Sequence, residues 1–237
     1  MGSGADRVAF RLYLITDRKL AAAHGGLSQM VAAALDAAHS MVGAGAVALQ
    51  VREKDLAGGE LYALARELRA ICRRYGAPIL INERLDIALA VEADGVHLPA
   101  DSFAIADARR LLGASRLIGV STHSAGEVSA AREGGADFAV CGPLFASLSK
   151  PGYGRAEGGA EFLGAALRAA GAMPLYALGG LTAERVHGLA RGWRAIGAPP
   201  PRGLAVIGAV LAADRPADAV RDLLRAMNEW QRSADPL

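Results

Sequence analysis

The sequence is short of the residues that build several common kinds of protein. It has 2 Cys and 2 Trp in 237 residues, and aromatics make up only 5%. Cys72 and Cys141 fall in a predicted helix and a predicted strand, in no metal-ligand spacing. Neither a disulfide scaffold nor a zinc module is therefore expected, and both are read as small buried hydrophobes in a reducing compartment. So few rings leave little for a base-stacking surface, and a net charge of +2 lacks the basic excess that nucleic-acid binding demands. No apolar run approaches the roughly 20 residues of a membrane span. The opening Met1-Gly2-Ser3-Gly4 has no basic segment followed by an apolar one, so a secretory leader is not expected and the cytoplasm is.

What is present is an apolar chain, 52% hydrophobic and 21% charged, which suffices for a large core and argues against disorder. Short apolar runs predict strands at Leu12–Ile15, Ala46–Val51, Pro78–Ile81, Gly95–Leu98, Leu117–Ser121, Phe138–Cys141, Leu175–Leu178 and Leu204–Ile207. They are nearly continuous in hydrophobicity, as parallel strands covered on both faces must be. Amphipathic stretches lie between them. After Gly59, Leu61, Leu64, Ala65, Leu68, Ile71 and Cys72 share one helical face, with Glu60, Arg66, Glu67, Arg69, Arg73 and Arg74 on the other. Eight such units predict an α/β fold, a single (β/α)8 TIM barrel over 11–230 with tails at 1–10 and 231–237. The rival is an open doubly wound sheet. It is disfavoured because Thr16-Asp17-Arg18-Lys19, not a glycine-rich dinucleotide turn, follows the first strand.

In a closed barrel the residues just past each strand converge on one mouth, where the chemistry is carried. The second strand runs into Gln50-Val51-Arg52-Glu53-Lys54, and alternation puts Gln50, Arg52 and Lys54 on one side. Such a polar set is costly unless a ligand satisfies it; the competing reading is a structural ion-pair layer with Glu53 or Glu83. The third strand ends in Asn82-Glu83-Arg84 and the fifth in Ser121-Thr122-His123. After the sixth, Ser147, Ser149 and Lys150 form either an anion cradle or a solvated loop. Gly179-Gly180 after the seventh strand and Ile207-Gly208 in and after the eighth either admit a phosphate to backbone amides or serve close packing. His97, inside the fourth strand, is read as a hydrogen-bonded core residue. No Ser-His-Asp order, zinc spacing or Walker loop is present.

Several segments in this order resemble the thiamine phosphate synthase family and its relative, the thiazole tautomerase. They are Tyr13-Leu14-Ile15-Thr16-Asp17, the Gln-x-Arg-x-Lys from Gln50 to Lys54, Ile81-Asn82-Glu83-Arg84, and Ala93-Asp94-Gly95-Val96-His97-Leu98. They continue with Gly119-Val120-Ser121-Thr122-His123, Gly142-Pro143-Leu144-Phe145…Ser149-Lys150, Ala177-Leu178-Gly179-Gly180-Leu181 and Val206-Ile207. The resemblance implies a cytoplasmic transferase joining hydroxymethylpyrimidine diphosphate to a thiazole phosphate, with Mg²⁺ as cofactor. Its partners would be phosphorylated small molecules, and the exposed barrel flank would permit a homodimer. By matching positions, Gln50 would contact the pyrimidine, and Arg52, Lys54, Asn82, Ser121 and Lys150 the diphosphate. Ser147 and Ser149 would line the shared pocket, and Gly180, Ile207 and Gly208 would receive the thiazole phosphate.

Three departures from the family pattern stand out. Glu83 replaces a Mg²⁺-binding Asp. Ser102 stands where a second carboxylate is usual, with Asp101 one residue early. Gly208 replaces a Ser. Glu83 and Asp101 are the metal candidates. Two other readings stay open: a tautomerase with His123 as proton shuttle, and a non-catalytic barrel that binds a phosphorylated ligand.

Overall fold

The structure, a computed structural model, describes residues 7–146 and 159–234. Eight parallel strands close into a barrel in sequence order: β1 (Leu12–Ile15), β2 (Val47–Val51), β3 (Ile79–Asn82), β4 (Gly95–Leu98), β5 (Leu117–Thr122), β6 (Phe138–Cys141), β7 (Leu175–Leu178) and β8 (Gly203–Val206). Around them run α1 (Arg18–Ala22), α2 (Leu27–Val42), α3 (Gly58–Arg74), α4 (Leu85–Ala90) and α5 (Ile105–Leu112). The ring continues with α6 (Ala125–Glu133), α7 (Gly159–Ala170), α8 (Ala183–Ile196), α9 (Gly208–Leu211) and α10 (Pro216–Ala234). The predicted barrel is the observed fold. Strand ends differ by a residue or so. β3 and β5 gain Asn82 and Thr122, which stay in register with His97 and Cys141, and Ile207 leaves β8 to precede α9.

Hydrophobic period decides where each helix lies. On α3 the buried side chains are Leu61, Ala65, Leu68 and Cys72, one stripe at helical spacing against the barrel. The Glu60 carboxylate accepts from the Ala57 N–H at 3.1 Å, and Arg73 and Arg74 sit in the last turn, so both helix ends carry the favourable charge. Burial pushes the Cys72 thiol up to about 12, so it remains a protonated packing group. Among the described residues no helix is long and apolar enough to cross a membrane.

The interior of the barrel is filled by alternate residues of the strands, among them Tyr13, Ala48, Leu80, Phe138 and Tyr176. Large rings on β6 and β7 are matched by missing side chains opposite: a Cβ on Gly119 would collide with the Phe138 ring. Val8 and Phe10, from the stretch 1–10 expected to be a tail, take part in this packing. Val8 and Phe10 are buried, Phe10 stacks on Tyr176 with centroids 4.8 Å apart, and the Tyr176 hydroxyl donates to Phe10 O at 2.7 Å. The C-terminal tail also begins later than expected. α10 continues through Ala234 because Trp230 is wholly buried, edge-on against Trp193 at 4.8 Å.

Candidate active site at the barrel mouth

The inward alternation that buries Ala48 and Leu80 brings Gln50 and Asn82 inward two residues later, at the carboxyl ends of their strands. There the interior turns polar. Gln50 is buried, and its Nε2 donates to Asn82 Oδ1 at 3.0 Å. Asn82 lies opposite His97 in the sheet, and His97 Nε2 lies 2.9 Å from Ser121 Oγ. His97 Nδ1 lies 3.3 Å from the Tyr13 hydroxyl. Burial holds the imidazole down to about 3, and the nearby Arg52 guanidinium adds to the effect, so His97 is neutral. Four of the residues predicted for the site, Gln50, Arg52, Asn82 and Ser121, thus gather around a histidine predicted only as core. Counting inward positions along β4 from Gly95 would have found it.

One atom in this layer is unsatisfied. Gln50 Oε1 is buried and has no hydrogen-bond donor among the described residues. An orphaned buried carbonyl costs about 1–3 kcal/mol, which a ligand N–H would recover.

The expectation that Gln50, Arg52 and Lys54 share one side by strand alternation is corrected, because β2 stops at Val51. Beyond it the chain is held by the first loop. Arg52 N donates to Thr16 Oγ1 at 2.8 Å, and the Glu53 carboxylate accepts from Arg18 N at 3.0 Å and Arg18 Nη1 at 3.1 Å. Arg18 also grips Asp55 with both terminal nitrogens, at 2.6 and 3.0 Å. Arg52 is left half-buried and Lys54 exposed. An ion-pair layer does exist, but it joins Glu53 to Arg18. Among the described residues Arg52 and Lys54 have no carboxylate partner.

Glu83 follows directly. It adopts φ +62°, a left-handed conformation rare for such a residue. Its N–H donates to His97 O at 2.9 Å, while Arg84 N–H reaches back to Asn82 O at 2.7 Å. The turn thus pins the ends of β3 and β4 together. Strain of this kind concentrates at functional positions. Asp101 lies in the loop after β4, exposed, with the buried Ser102 Oγ beside it lacking a partner. Among the described residues neither carboxylate is engaged in a hydrogen bond or ion pair. Among the described residues no group of three or more His, Cys, Asp or Glu side chains is placed to hold a metal, so Glu83 and Asp101 are at most two carboxylate ligands, the number that Mg²⁺ takes when phosphate oxygens and water complete its shell.

On the far side, His123 Nδ1–H donates to Gly142 O at 2.7 Å and its backbone N–H bonds Glu127 Oε2 at 2.8 Å, so His123 ties the end of β5 to that of β6. Ser147, Ser149 and Lys150 lie outside the described residues. After β7, Gly179 and Gly180 both have positive φ, +111° and +59°. A side chain on Gly180 would strike Ala146 O and the Arg185 guanidinium, which itself donates to Gly180 O and lies 5.1 Å over the Phe145 ring. Ile207 and Gly208 introduce α9, the short extra helix that follows β8. Among the described residues a Cβ on Gly208 would meet Leu20 Cδ2 at 3.5 Å, an ordinary contact, so the usual Ser fits against them.

Gly180→Ala is accordingly expected to destabilise the fold by about 1–2 kcal/mol through its left-handed backbone alone. It should also displace the 145–146 segment. Urea unfolding of the variant checks the first effect, and an unchanged midpoint would contradict the conformation described for this turn.

The fold and these residues define a parallel barrel whose mouth can take a donor-bearing group at Gln50 and an anionic group near Arg52 and Ser121. The family model described as thiamine monophosphate synthase matches residues 12–210, and the chain belongs to that family. It is 38% identical over 227 residues to the thiamine-phosphate synthase of Chloroflexus aurantiacus, covering 96% of this chain and 97% of that one. With the thiamine-phosphate synthase of Chlorobium luteolum it shares 43% identity, over 78% of this chain and 82% of the other. Among solved structures it is similar to a thiamine phosphate pyrophosphorylase from Pyrococcus furiosus. There the TM-score is 0.75 and the identity 30%, over 94% of this chain and 98% of that one.

Proposed function

We propose that the protein is a thiamine-phosphate synthase, a cytoplasmic transferase that joins hydroxymethylpyrimidine diphosphate to a thiazole phosphate. The reaction breaks the bond between the pyrimidine methylene carbon and the diphosphate oxygen. It forms a bond from that carbon to the thiazole nitrogen, releasing pyrophosphate and thiamine phosphate. The observation that carries the reading is the orphaned Gln50 Oε1, two residues before an Arg52 that has no carboxylate partner among the described residues. An aminopyrimidine supplies the missing N–H, and its diphosphate supplies negative charge.

The chemistry asks for stabilisation of a departing anion more than for a general base. Gln50 orients the ring through Oε1. Asn82, whose Oδ1 already accepts from Gln50, presents its Nδ2 as a donor. Arg52 and Lys54 neutralise the leaving group, together with Ser121 and with Lys150 on the loop after β6. Ser147 and Ser149, which lie outside the described residues, would by the family resemblance line the pocket between the two substrates. Backbone amides at Gly180, Ile207 and Gly208 receive the thiazole phosphate, in the barrel position where loops after the seventh and eighth strands meet a short helix. Glu83 and Asp101 would hold Mg²⁺, which when bound adds positive charge to the leaving pyrophosphate. His123 steadies the loops through Gly142 O.

Incubating the purified protein with both substrates and Mg²⁺ tests the proposal. Thiamine phosphate and pyrophosphate should form in equal amounts, and absence of product with folded protein would overturn it. Glu83→Gln is expected to raise the Mg²⁺ concentration for half-saturation by about tenfold, equivalent to roughly 1.4 kcal/mol. Calorimetric titration of Mg²⁺ into pyrophosphate-loaded protein reads this directly. Identical curves for the two proteins would remove Glu83 from the metal site.

A further inference from the structure

The polar layer at the barrel mouth continues inward to Tyr13. That ring is wholly buried among Phe10, Phe138 and Tyr176, with centroids 5.3–6.2 Å away, and its hydroxyl meets His97 Nδ1 at 3.3 Å. On the other side of the imidazole, Nε2 meets Ser121 Oγ at 2.9 Å. Ser121 is the half-buried end of this chain of three, at the carboxyl end of β5.

The direction of the chain follows from its buried end. A phenol has one proton to donate, and among the described residues the hydrogen-bond partner of Tyr13 is His97 Nδ1. If Nδ1 carried a proton, as in the other tautomer or in the imidazolium, Tyr13 could only accept. Its own O–H would then be buried among aromatic rings with no acceptor among the described residues, at the full cost of desolvating a hydroxyl. Tyr13 therefore donates, Nδ1 accepts, and the imidazole proton sits on Nε2. Nε2–H then donates to Ser121 Oγ, and the serine proton is turned away from His97.

We infer that Tyr13, acting through His97, fixes the Ser121 hydroxyl as a donor toward the barrel mouth and so tunes it to an anionic oxygen of the ligand. Tyr13 and His97 are positioning residues. With the chain reversed, Ser121 would spend its proton on Nε2 and offer only lone pairs to a diphosphate. The inference rests on the placement of Ser121 against the diphosphate.

The test is a cycle of Tyr13→Phe, Ser121→Ala and the double variant, read as the dissociation constant for inorganic pyrophosphate at saturating Mg²⁺. Ser121→Ala should weaken binding by about 5- to 50-fold. Tyr13→Phe keeps the ring in its stack and should weaken binding about 3-fold or more, the part of the serine contact that depends on polarity. The double variant should be no weaker than Ser121→Ala alone. Losses that multiply in the double variant, or wild-type affinity in Tyr13→Phe, would overturn the relay while leaving the site reading intact. Wild-type affinity in Ser121→Ala would overturn both. An independent arm compares His97→Gln, whose amide offers one acceptor and one donor, with the apolar His97→Leu. Better retention of pyrophosphate by the Gln variant supports the relay, and equal losses refute it.

Discussion

Arg52→Ala will weaken pyrophosphate binding by roughly 5- to 150-fold, the 1–3 kcal/mol of a charge-assisted contact, while leaving stability almost unchanged. The two halves of this expectation have one cause. The carboxylate next to Arg52 in sequence, Glu53, is already satisfied by Arg18 through its backbone and side chain. The residue that locks the second loop to the first is thus Arg18, not Arg52. Removing the Arg52 side chain strands no buried acid, and the Thr16 hydroxyl still receives the backbone N–H at position 52. It also lifts a positive charge from the neighbourhood of the buried His97. A cation held half-buried without a carboxylate partner among the described residues is placed for an anion that arrives. Isothermal calorimetry with pyrophosphate and a thermal melt of each protein decide the matter. Unchanged affinity would remove Arg52 from the leaving-group site, and a large fall in melting temperature would show that it serves the fold.

The barrel could be read from the chain because parallel strands covered on both faces are written as unbroken apolar runs, and none of the predicted runs was misplaced by more than a residue or so at its ends. Period-two alternation was reliable inside those runs and failed where it was carried past one. Gln50 obeys the pleat, but at Arg52 the strand has ended, and hydrogen bonds to the first loop decide where the side chain goes. Those bonds join residues 35 and more apart in sequence, such as Arg18 and Glu53, and leave no local pattern to read. The same holds for Val8 and Phe10. Phe10 stacks on the Tyr176 ring and accepts from its hydroxyl, contacts 166 residues apart that no local pattern announces. His97 was recognised as core but not as the hub of the polar layer. Only the closed barrel shows that the strand carrying it lies between those of Asn82 and Ser121. Glu83, which departs from the family's shorter acid, could be named as a metal candidate from sequence, but its left-handed backbone could not.

The stability of the protein will fall as the pH drops from 6.5 to 4.5, and His97 alone will account for about 2 kcal/mol of that loss. The imidazole begins at 6.5 in the unfolded chain and is held to about 3 in the fold, first by burial and then by Arg52. Above 6.5 neither state takes up the proton, and stability is at its full value. Below 6.5 the unfolded chain binds a proton that the folded protein refuses, so unfolding gains on folding by up to about 1.4 kcal/mol per pH unit. The loss levels off only as the pH approaches the folded value near 3. The window from 6.5 to 4.5 lies well above that value, so the expected size is insensitive to where the fold places it. Other groups titrate in the same range, and Asp55, drawn well below the usual carboxylate range by Arg18 and Lys19, is among the acids that contribute at lower pH. His97→Gln separates them, because it removes the imidazole and leaves the acids in place. Urea unfolding at pH 6.5, 5.5 and 4.5 should show the wild-type protein losing about 2 kcal/mol more than the variant across the series. Parallel losses would mean that the imidazole can take up a proton inside the barrel. Nδ1 would then donate, the Tyr13 hydroxyl would lose its acceptor, and the polarity assigned to Ser121 would no longer be fixed from within.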